Sequence, residues 1–355
     1  MVVGGKGRGA TLADVARAAN VSPSTASRAL NDSPLIPDAT KAIVREAARK
    51  QNYRVNTTAR NLRRQTSSTV ALVLPADPES GQMVSDPFFL DILGAVADAL
   101  QEKKYDLLLS TTGAHPDRWF EDFIMSRRAD GLIVIGQAHH ADALEQLAGE
   151  GAPVVVWGAA ATGLPYCSVG SDNLAGGDIA TSHLLALGRR HIAFLGDTDL
   201  PEVALRYEGY RRALAAQGLS ADPALLSRTP FTREGGAAAI NRLADSGTRF
   251  DAVFATSDLL AMSAIQSLQA RGIGVPQDVS VVGYDDIQMA AHYSPALTTI
   301  SQNIALGGTL LVNKLMDLMA GQPAGTDVLE PRLIIRQSCG SPVMSGGTAP
   351  AGDRA

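Results

Sequence analysis

From residue 69 onward, short apolar runs alternate with amphipathic stretches, and this alternation limits the possible folds more than any other feature. The runs are VALVLP (70–75), YDLLLST (105–111), GLIVIG (131–136), PVVVWG (153–158), HIAFLGD (191–197), AVFATSD (252–258) and VSVVGYDD (279–286). Segments with helical periodicity intervene, among them 90–103, 175–187 and 259–271. Repeated strand–helix units predict parallel sheets covered by helices on both faces. Roughly 270 residues of this pattern exceed one comfortable domain, so two lobes are expected. Strand ends carry Asp197, Asp258, Asp285 and Asp286. Ligands of such sheets bind beyond the carboxyl ends of the strands, which predicts a carboxylate-lined cleft between the lobes.

The segment before this body differs in charge. Residues 1–65 hold 12 Lys and Arg against 4 Asp and Glu, while the remainder holds 19 against 32, so a head of +8 precedes a body of -13. A basic head on an acidic body points to a polyanion partner for the head alone. MVVGGKGRGA has no apolar core of a secretory signal, and no run approaches the ~18 apolar residues of a membrane span. Cys167 and Cys339 have no Cys or His neighbour at metal spacing and read as packing residues in a reducing cytoplasm. No metal or cofactor is expected.

Within the head, TLADVARAA places Leu12, Val15, Ala16 and Ala19 on one helical face, with Thr11 and Asp14 spaced as a capping box. Asn20-Val21-Ser22 breaks that period. Ser22 then caps a second helix, and Pro23 suits its first turn, where a missing N–H costs nothing. This helix runs to about Leu30 and buries Ala26 and Leu30. A third runs over 38–50 with Ile43, Val44, Ala47 and Ala48 inward. Two helices joined by a tight turn, closed by a third, make a helix-turn-helix, whose second helix enters the major groove by its start. Pro23, Ser24 and Thr25 are small enough for close approach to base edges, and Arg28 carries the fork that suits guanine.

NYRVNTTARNLRRQTSS follows. Residues 56–64 have the length of two helical turns, too short to be stable alone. Leu62 stands amid Arg60, Arg63 and Arg64. By spacing alone it reads equally as a wedge for a minor-groove step or as one residue of a plain linker.

Taken together, TLADVARAANVSPSTASRALN, YRVNTTARNL, DPFF, SDN with GG, HLLALGRRHIAFLG, LRYEGY, and SVVGYDD with SPALTTI resemble the LacI/GalR transcriptional repressors, from about Thr11 to Gln337. The resemblance implies a DNA-binding headpiece on a periplasmic-binding-protein-like core. It implies dimers or tetramers on pseudo-palindromic operators. Pro23 and Ser24 would discriminate operators with Arg28 as a further base contact, and Thr11, Ser22, Thr25, Ser27, Asn31, Tyr53, Asn56 and Ala59 would join them on DNA. Leu62 matches the family's minor-groove lever. For effector binding, Phe89 matches a ligand-contacting aromatic beside Phe88, Arg206 the effector-binding Arg, and Asp285 the effector-binding carboxylate. Asp172, Phe231, Ser257 and Asp258 lie at or beside pocket positions, and Glu202 at the rim. Trp157 ends a strand at the cleft and reads equally as core packing. Gly158 stands where some relatives carry a polar contact, and leaves room for a second sugar ring. A guanidinium and a carboxylate grip neighbouring sugar hydroxyls in pairs, and aromatics stack on sugar faces, so the set points to a neutral carbohydrate.

The expected architecture is an all-α helix-turn-helix headpiece (10–55) after a flexible basic tail (1–9). A hinge segment (56–68) leads to a two-lobed α/β core (69–339), and 340–355 form a disordered tail. The N-lobe would take 69–170 plus 302–329, the C-lobe 171–298 plus 330–339. Gly- and Pro-rich SCGSPVMSGGTAPAGDRA has no heptad, which predicts a dimer rather than a coiled-coil tetramer. A transport-type sugar-binding protein fits the core but not the basic head. An enzyme finds little support. GGKGRGA follows no strand, His139-His140 lacks a third ligand, and Ser171-Asp172 and Asp285-Asp286 lack a spaced His, which leaves paired carboxylates in a cleft, able to hydrolyse a glycoside, as the one enzymatic alternative. The expected product is a ligand-controlled repressor of carbohydrate-utilisation genes, cytoplasmic and nucleoid-associated. Its partners would be operator DNA, a mono- or oligosaccharide and a second copy of itself, with no membrane.

Overall fold

The computed structural model describes residues 10–53, 66–74, 82–111, 121–137, 141–159 and 163–340. The tails 1–9 and 341–355, His139-His140, and Asn56, Ala59 and Leu62 lie outside the described residues. The chain divides into two units between Ser67 and Ser68.

The first unit holds three helices: α1 (Leu12–Ala18), α2 (Pro23–Leu30) and α3 (Asp38–Lys50). Thr11 and Asp14 form the reciprocal capping box at the start of α1. Asn20 takes φ of 55° in the turn to α2, a left-handed conformation that asparagine tolerates better than most residues. Val15, Ala16, Ala19, Ala26, Ala29, Val44, Ala47 and Ala48 form the core, edged by Leu12, Leu30 and Tyr53. Alanines dominate it, so the helices lie close. The inward assignment of Ile43 is corrected, since this side chain is 56% exposed. At about 100° per residue, Val44, Ala47 and Ala48 centre the buried stripe and leave Ile43 beyond its edge.

The second unit contains two six-stranded sheets. Its elements are β1 (Thr69–Leu74), α4 (Pro87–Lys103), β2 (Asp106–Thr111), the one-turn α5 (Glu121–Ile124), β3 (Gly131–Ile135), α6 (Ala141–Gly149), β4 (Val154–Trp157), β5 (Cys167–Ser171), α7 (Asn173–Ala186), β6 (Ile192–Leu195), α8 (Pro201–Ala216), β7 (Leu226–Ser227), α9 (Arg233–Asp245), β8 (Ala252–Ala255), α10 (Asp258–Ala270), β9 (Ser280–Asp285), β10 (Thr298–Ser301), α11 (Ile304–Met319), β11 (Asp327–Leu329) and β12 (Arg332–Ile334). Strand order is β11-β5-β4-β3-β1-β2 in one sheet and β12-β10-β9-β8-β6-β7 in the other. Only the β10–β12 pair is antiparallel among the described strands.

Both faces of each sheet are covered, which explains strands that are apolar at every position. In β1, Val70, Leu72 and Leu74 face one core with α4 and α11. Ala71 and Val73 face another with α6. In β6, Ala193 and Leu195 point toward α9 and α10, while Ile192 and Phe194 point toward α7 and α8. The chain passes between the lobes three times: from β5 to α7, from β10 to α11, and from β11 to β12. Among the described residues, no helix is long and apolar enough to cross a membrane.

Candidate functional site

In the first unit, the start of α2 is built from short polar side chains that hold one another. Ser22 Oγ accepts from the Thr25 amide at 3.1 Å and lies 2.8 Å from both the Ser24 and Thr25 hydroxyls. Pro23 takes the first helical position. Ser22, Pro23 and Ser24 are exposed, Thr25 and Ser27 half-buried. Asn31 ends the helix and donates its side-chain amide to the Ser27 carbonyl at 2.7 Å. Thr11 is exposed but engaged with Asp14, and Tyr53 packs at the edge of the helical core.

The described cations of this unit are mostly paired. Arg17 meets Asp14, Lys41 meets Asp32 and Asp38, Arg45 meets Asp32, and Arg49 and Lys50 meet Glu46. Arg28, exposed one turn into α2, has no ion pair or hydrogen bond from its guanidinium among the described residues. Its fork is free to meet a base edge.

In the second unit, the candidate effector residues converge where the strands of both lobes end. α7 and α8 cross at glycine contact. A Cβ on Gly177 would stand 2.1 Å from the Arg206 carbonyl oxygen, and one on Gly209 2.1 Å from the Leu174 carbonyl oxygen. This close crossing buries Arg206 and aims it across β8 and β9. Its Nε donates to Asn173 Oδ1 at 2.8 Å and its Nη1 to the Thr256 carbonyl at 2.6 Å. Its guanidinium carbon lies 3.7 Å from the centre of the Tyr284 ring.

Asp285 ends β9 with φ of 117°, and Asp286 follows at 60°, a strained corner for side-chain-bearing residues. Two contacts hold it. Gln302 Nε2 donates to Asp285 Oδ1 at 2.6 Å, and Arg336 Nη2 to Asp286 Oδ1 at 2.6 Å. Burial pushes the Asp285 carboxyl well above the usual range; Arg206 opposes this, while Asp258 and Asp86 add to it. Arg206 and Asp285 therefore feel each other's charge but form no ion pair within 4 Å.

Aromatic side chains stand opposite. Phe88, half-buried in the first turn of α4, packs on the apolar cores of both lobes. Phe89 is buried in the N-lobe core alone. Trp157 is buried at the end of β4, 6.3 Å from Phe88 between ring centres, with its ring against Gly307 of α11. Phe231 is half-buried against both C-lobe cores.

The remaining candidates serve helix ends. Asp172 is exposed and caps α7 through the Ala175 amide at 2.9 Å, while its neighbour Asn173 is the buried residue that meets Arg206. Ser257 caps α10 through the Leu260 amide at 3.2 Å. Asp258 is fully buried, accepts from Thr299 Oγ1 at 2.5 Å and the Ile287 amide at 2.9 Å, and is pushed up to about 7 by burial. Its carboxyl is satisfied inside the C-lobe. Glu202 lies in the first turn of α8. The expectation of spare room above Gly158 is overturned: a Cβ there would meet Gln137 side-chain carbons at 2.9 Å and Glu202 Oε1 at 3.0 Å. A separate cavity of about 560 Å³ on the N-lobe flank, walled by residues including Pro153, Tyr166, Leu318 and Pro323, contains none of these groups.

Comparison with known proteins identifies what this arrangement belongs to. The family described as bacterial regulatory proteins, lacI family, matches residues 11–56, and a periplasmic binding protein-like domain matches 181–339. The HTH-type transcriptional regulator CelR of Thermobifida fusca is 35% identical over 336 residues, covering 92% of this chain and 98% of that protein. The chain belongs to the LacI family. Its similarity to the ribose operon repressor of Haemophilus influenzae is 32% over 334 residues, covering 93% and 98% of the two chains. Among solved structures, a CelR–cellobiose complex superposes with a TM-score of 0.69 at 32% identity, covering 93% of this chain and 99% of that one. A lac repressor dimer bound to operator and the anti-inducer ONPF gives 0.82 at 25% identity, with the same coverage. This LacI-family protein is thus a DNA-binding transcriptional regulator with a ligand-sensing core, not an enzyme or a transport protein.

The family motifs did not reveal Asn173, Thr256, Tyr284 and Gln302, which position Arg206 and Asp285. Asn173 lies inside the quoted SDN and Tyr284 inside GYDD. Their proximity to Arg206 was the only missing signal, and it is created by the α7–α8 crossing.

Proposed function

We propose that this regulator represses carbohydrate-utilisation genes as a homodimer on a pseudo-palindromic operator. Its effector is a mono- or oligosaccharide bound between the core lobes. The observation that carries the reading is the separation of Arg206 and Asp285. Each is fixed by protein hydrogen bonds, and they feel each other's charge without touching. A sugar diol inserted between them accepts from the guanidinium and donates to the carboxyl, while its apolar face meets Phe88. Cellobiose in the CelR complex, and ribose in a LacI-family regulator of Enterococcus faecium at 28% identity, support the ligand class.

Because Phe88 packs on both lobes, ligand at this point changes how the lobes meet. Coupling to the headpiece follows as linkage, typically ~1–3 kcal/mol between sites and reciprocal. The DNA contacts are those assigned above around Pro23, Ser24 and Arg28, with Leu62 as the minor-groove lever. The protein would act in the cytoplasm at the nucleoid.

Thermal melting against mono-, di- and oligosaccharides tests the core. A ligand at ~100 times its Kd adds roughly 2.7 kcal/mol, enough to read as a shift of several degrees. Arg206→Ala removes the shift and keeps operator binding; a surviving shift places the site elsewhere. Leu62→Ala weakens operator binding and leaves sugar binding alone, and unchanged operator affinity would remove the lever.

A further inference from the structure

Glu202 belongs to the C-lobe by sequence but reaches the N-lobe in space. Its Oε1 occupies the volume that a side chain at position 158 would fill, beside the Gln137 side chain. Gln137 is itself buried and donates to the Ala159 carbonyl at 3.2 Å, so the N-lobe wall beside Glu202 is fixed. The charge of Glu202 is felt at Tyr166 of the N-lobe, whose phenol is held above its usual range first by burial and then by Glu202 and Glu145. Among the described residues, no cation stands within ion-pair distance of Glu202.

The other acids of the cleft are buried, and burial raises the carboxyls of both Asp86 and Asp285, so a second anion there is costly and the open charge it meets is that of Glu202. Asp86 is buried, caps α4 by accepting from the Phe88 amide, and lies close enough to Asp285 to raise its carboxyl. Arg206 is the cation facing these acids, and two of its three nitrogens are already committed to Asn173 and Thr256. A phosphorylated ligand would bring a further charge of about -1.5 to -2 into this space. A hydroxyl, by contrast, donates to a carboxylate and loses nothing.

We propose that Glu202, seated on Gly158 against Gln137, is a specificity-determining residue that rejects anionic effectors and restricts the cleft to neutral polyhydroxy ligands. This rests on the reading of the cleft as a sugar site. The side-chain-free position 158 is what lets Glu202 lie across the lobes, and any larger residue there would displace it.

The test is calorimetric titration of the full-length protein with matched pairs at pH 7.5: glucose and glucose 6-phosphate, cellobiose and its 6′-phosphate, ribose and ribose 5-phosphate, adenosine and AMP. The neutral member of the pair that binds should do so at least roughly tenfold more tightly, a difference of about 1.4 kcal/mol. Glu202→Gln keeps an acceptor without the charge. It should narrow the gap within the pair, read as the ratio of the two Kd values and not as the neutral Kd by itself. Glu202→Lys should narrow it further or reverse it, a gain that a structural role for Glu202 does not produce. Equal or tighter binding of the phosphorylated member by the unaltered protein overturns the proposal, as does an unchanged ratio in both variants. Tight binding of adenosine with no sugar binding would instead overturn the sugar reading and leave the charge filter standing. Absence of binding by every probe would defeat both.

Discussion

Gly177→Ala is the sharpest probe of how the fold builds its ligand site. The added Cβ would lie 2.1 Å from the Arg206 carbonyl oxygen, 2.8 Å from its carbonyl carbon and 2.9 Å from its Cα. A Cβ essentially never stands within 3.0 Å of another heavy atom in real proteins, and backbone has no rotamer through which to retreat. Helix α8 must therefore move away by about 1 Å. Overpacking of this kind costs ~1–3 kcal/mol, and a backbone obstacle places it near the upper end. For a unit of this size that lowers Tm by roughly 4–5 °C. The same shift pulls Arg206 from Asn173 and Thr256, so sugar affinity should fall by about tenfold or more while operator binding without ligand persists. Differential scanning fluorimetry and operator anisotropy, each with and without ligand, measure both effects. Gly94→Ala is the matched control. It is exposed on α4, with nothing within 4 Å of the added carbon, and should gain about 0.5–1 kcal/mol from helix propensity. A Gly177→Ala protein with Tm within 1 °C of the parent (about the measurement error) and an intact ligand response would refute the reasoning.

Asp258→Asn should flatten the pH dependence of stability. The carboxyl is pushed up to about 7 in the fold from an ordinary 3.8, so its contribution is complete below about pH 4 and is lost as pH rises through 7. That displacement corresponds to about 4 kcal/mol, which Tm measured from pH 4 to 8 will reveal as a slope present in the parent and reduced in the variant. Tyr284→Phe should retain sugar affinity within about threefold, because it keeps the ring face that holds Arg206; Tyr284→Leu should lose it. Arg28→Ala should relax operator preference at one base position by about 1–3 kcal/mol, read by anisotropy across a set of substituted operators.

Much of this was legible in the sequence because local rules sufficed. Thr11 with Asp14, and Ser22 with Pro23, mark their helices by capping chemistry that needs no tertiary information. β1, β3, β4, β6, β8 and β9 stand out because strands covered on both faces are continuously apolar. β5, β10, β11 and β12 do not. CSVGS, TTIS, DVL and RLI are short and partly polar, since these strands lie toward the sheet margin where the chain changes lobes. Within the site, adjacent residues were inseparable by sequence. Asp172 and Asn173 sit one position apart, yet one caps a helix in solvent and the other is buried against Arg206. Phe88 and Phe89 divide likewise, one spanning the lobes and the other inside a single core. Gly158 misled for a different reason: the space it opens is filled by Gln137 and Glu202, which are 21 and 44 positions away in the chain.

The threefold passage of the chain between the lobes also governs the order in which this protein matures on the ribosome. The N-lobe begins with β1, but its core needs Leu311, Val312 and Leu315 from α11 and Leu329 from β11. Its edge strand β11 and the Gly307 face that receives Trp157 are therefore missing until almost the whole chain has been synthesised. The C-lobe runs from α7 to β10 without interruption and lacks only its edge strand β12 and the Cys339 segment. The lobe encoded second is thus the first able to close. The lobe encoded first must wait with its apolar strands uncovered, the interval in which a nascent chain most depends on chaperones.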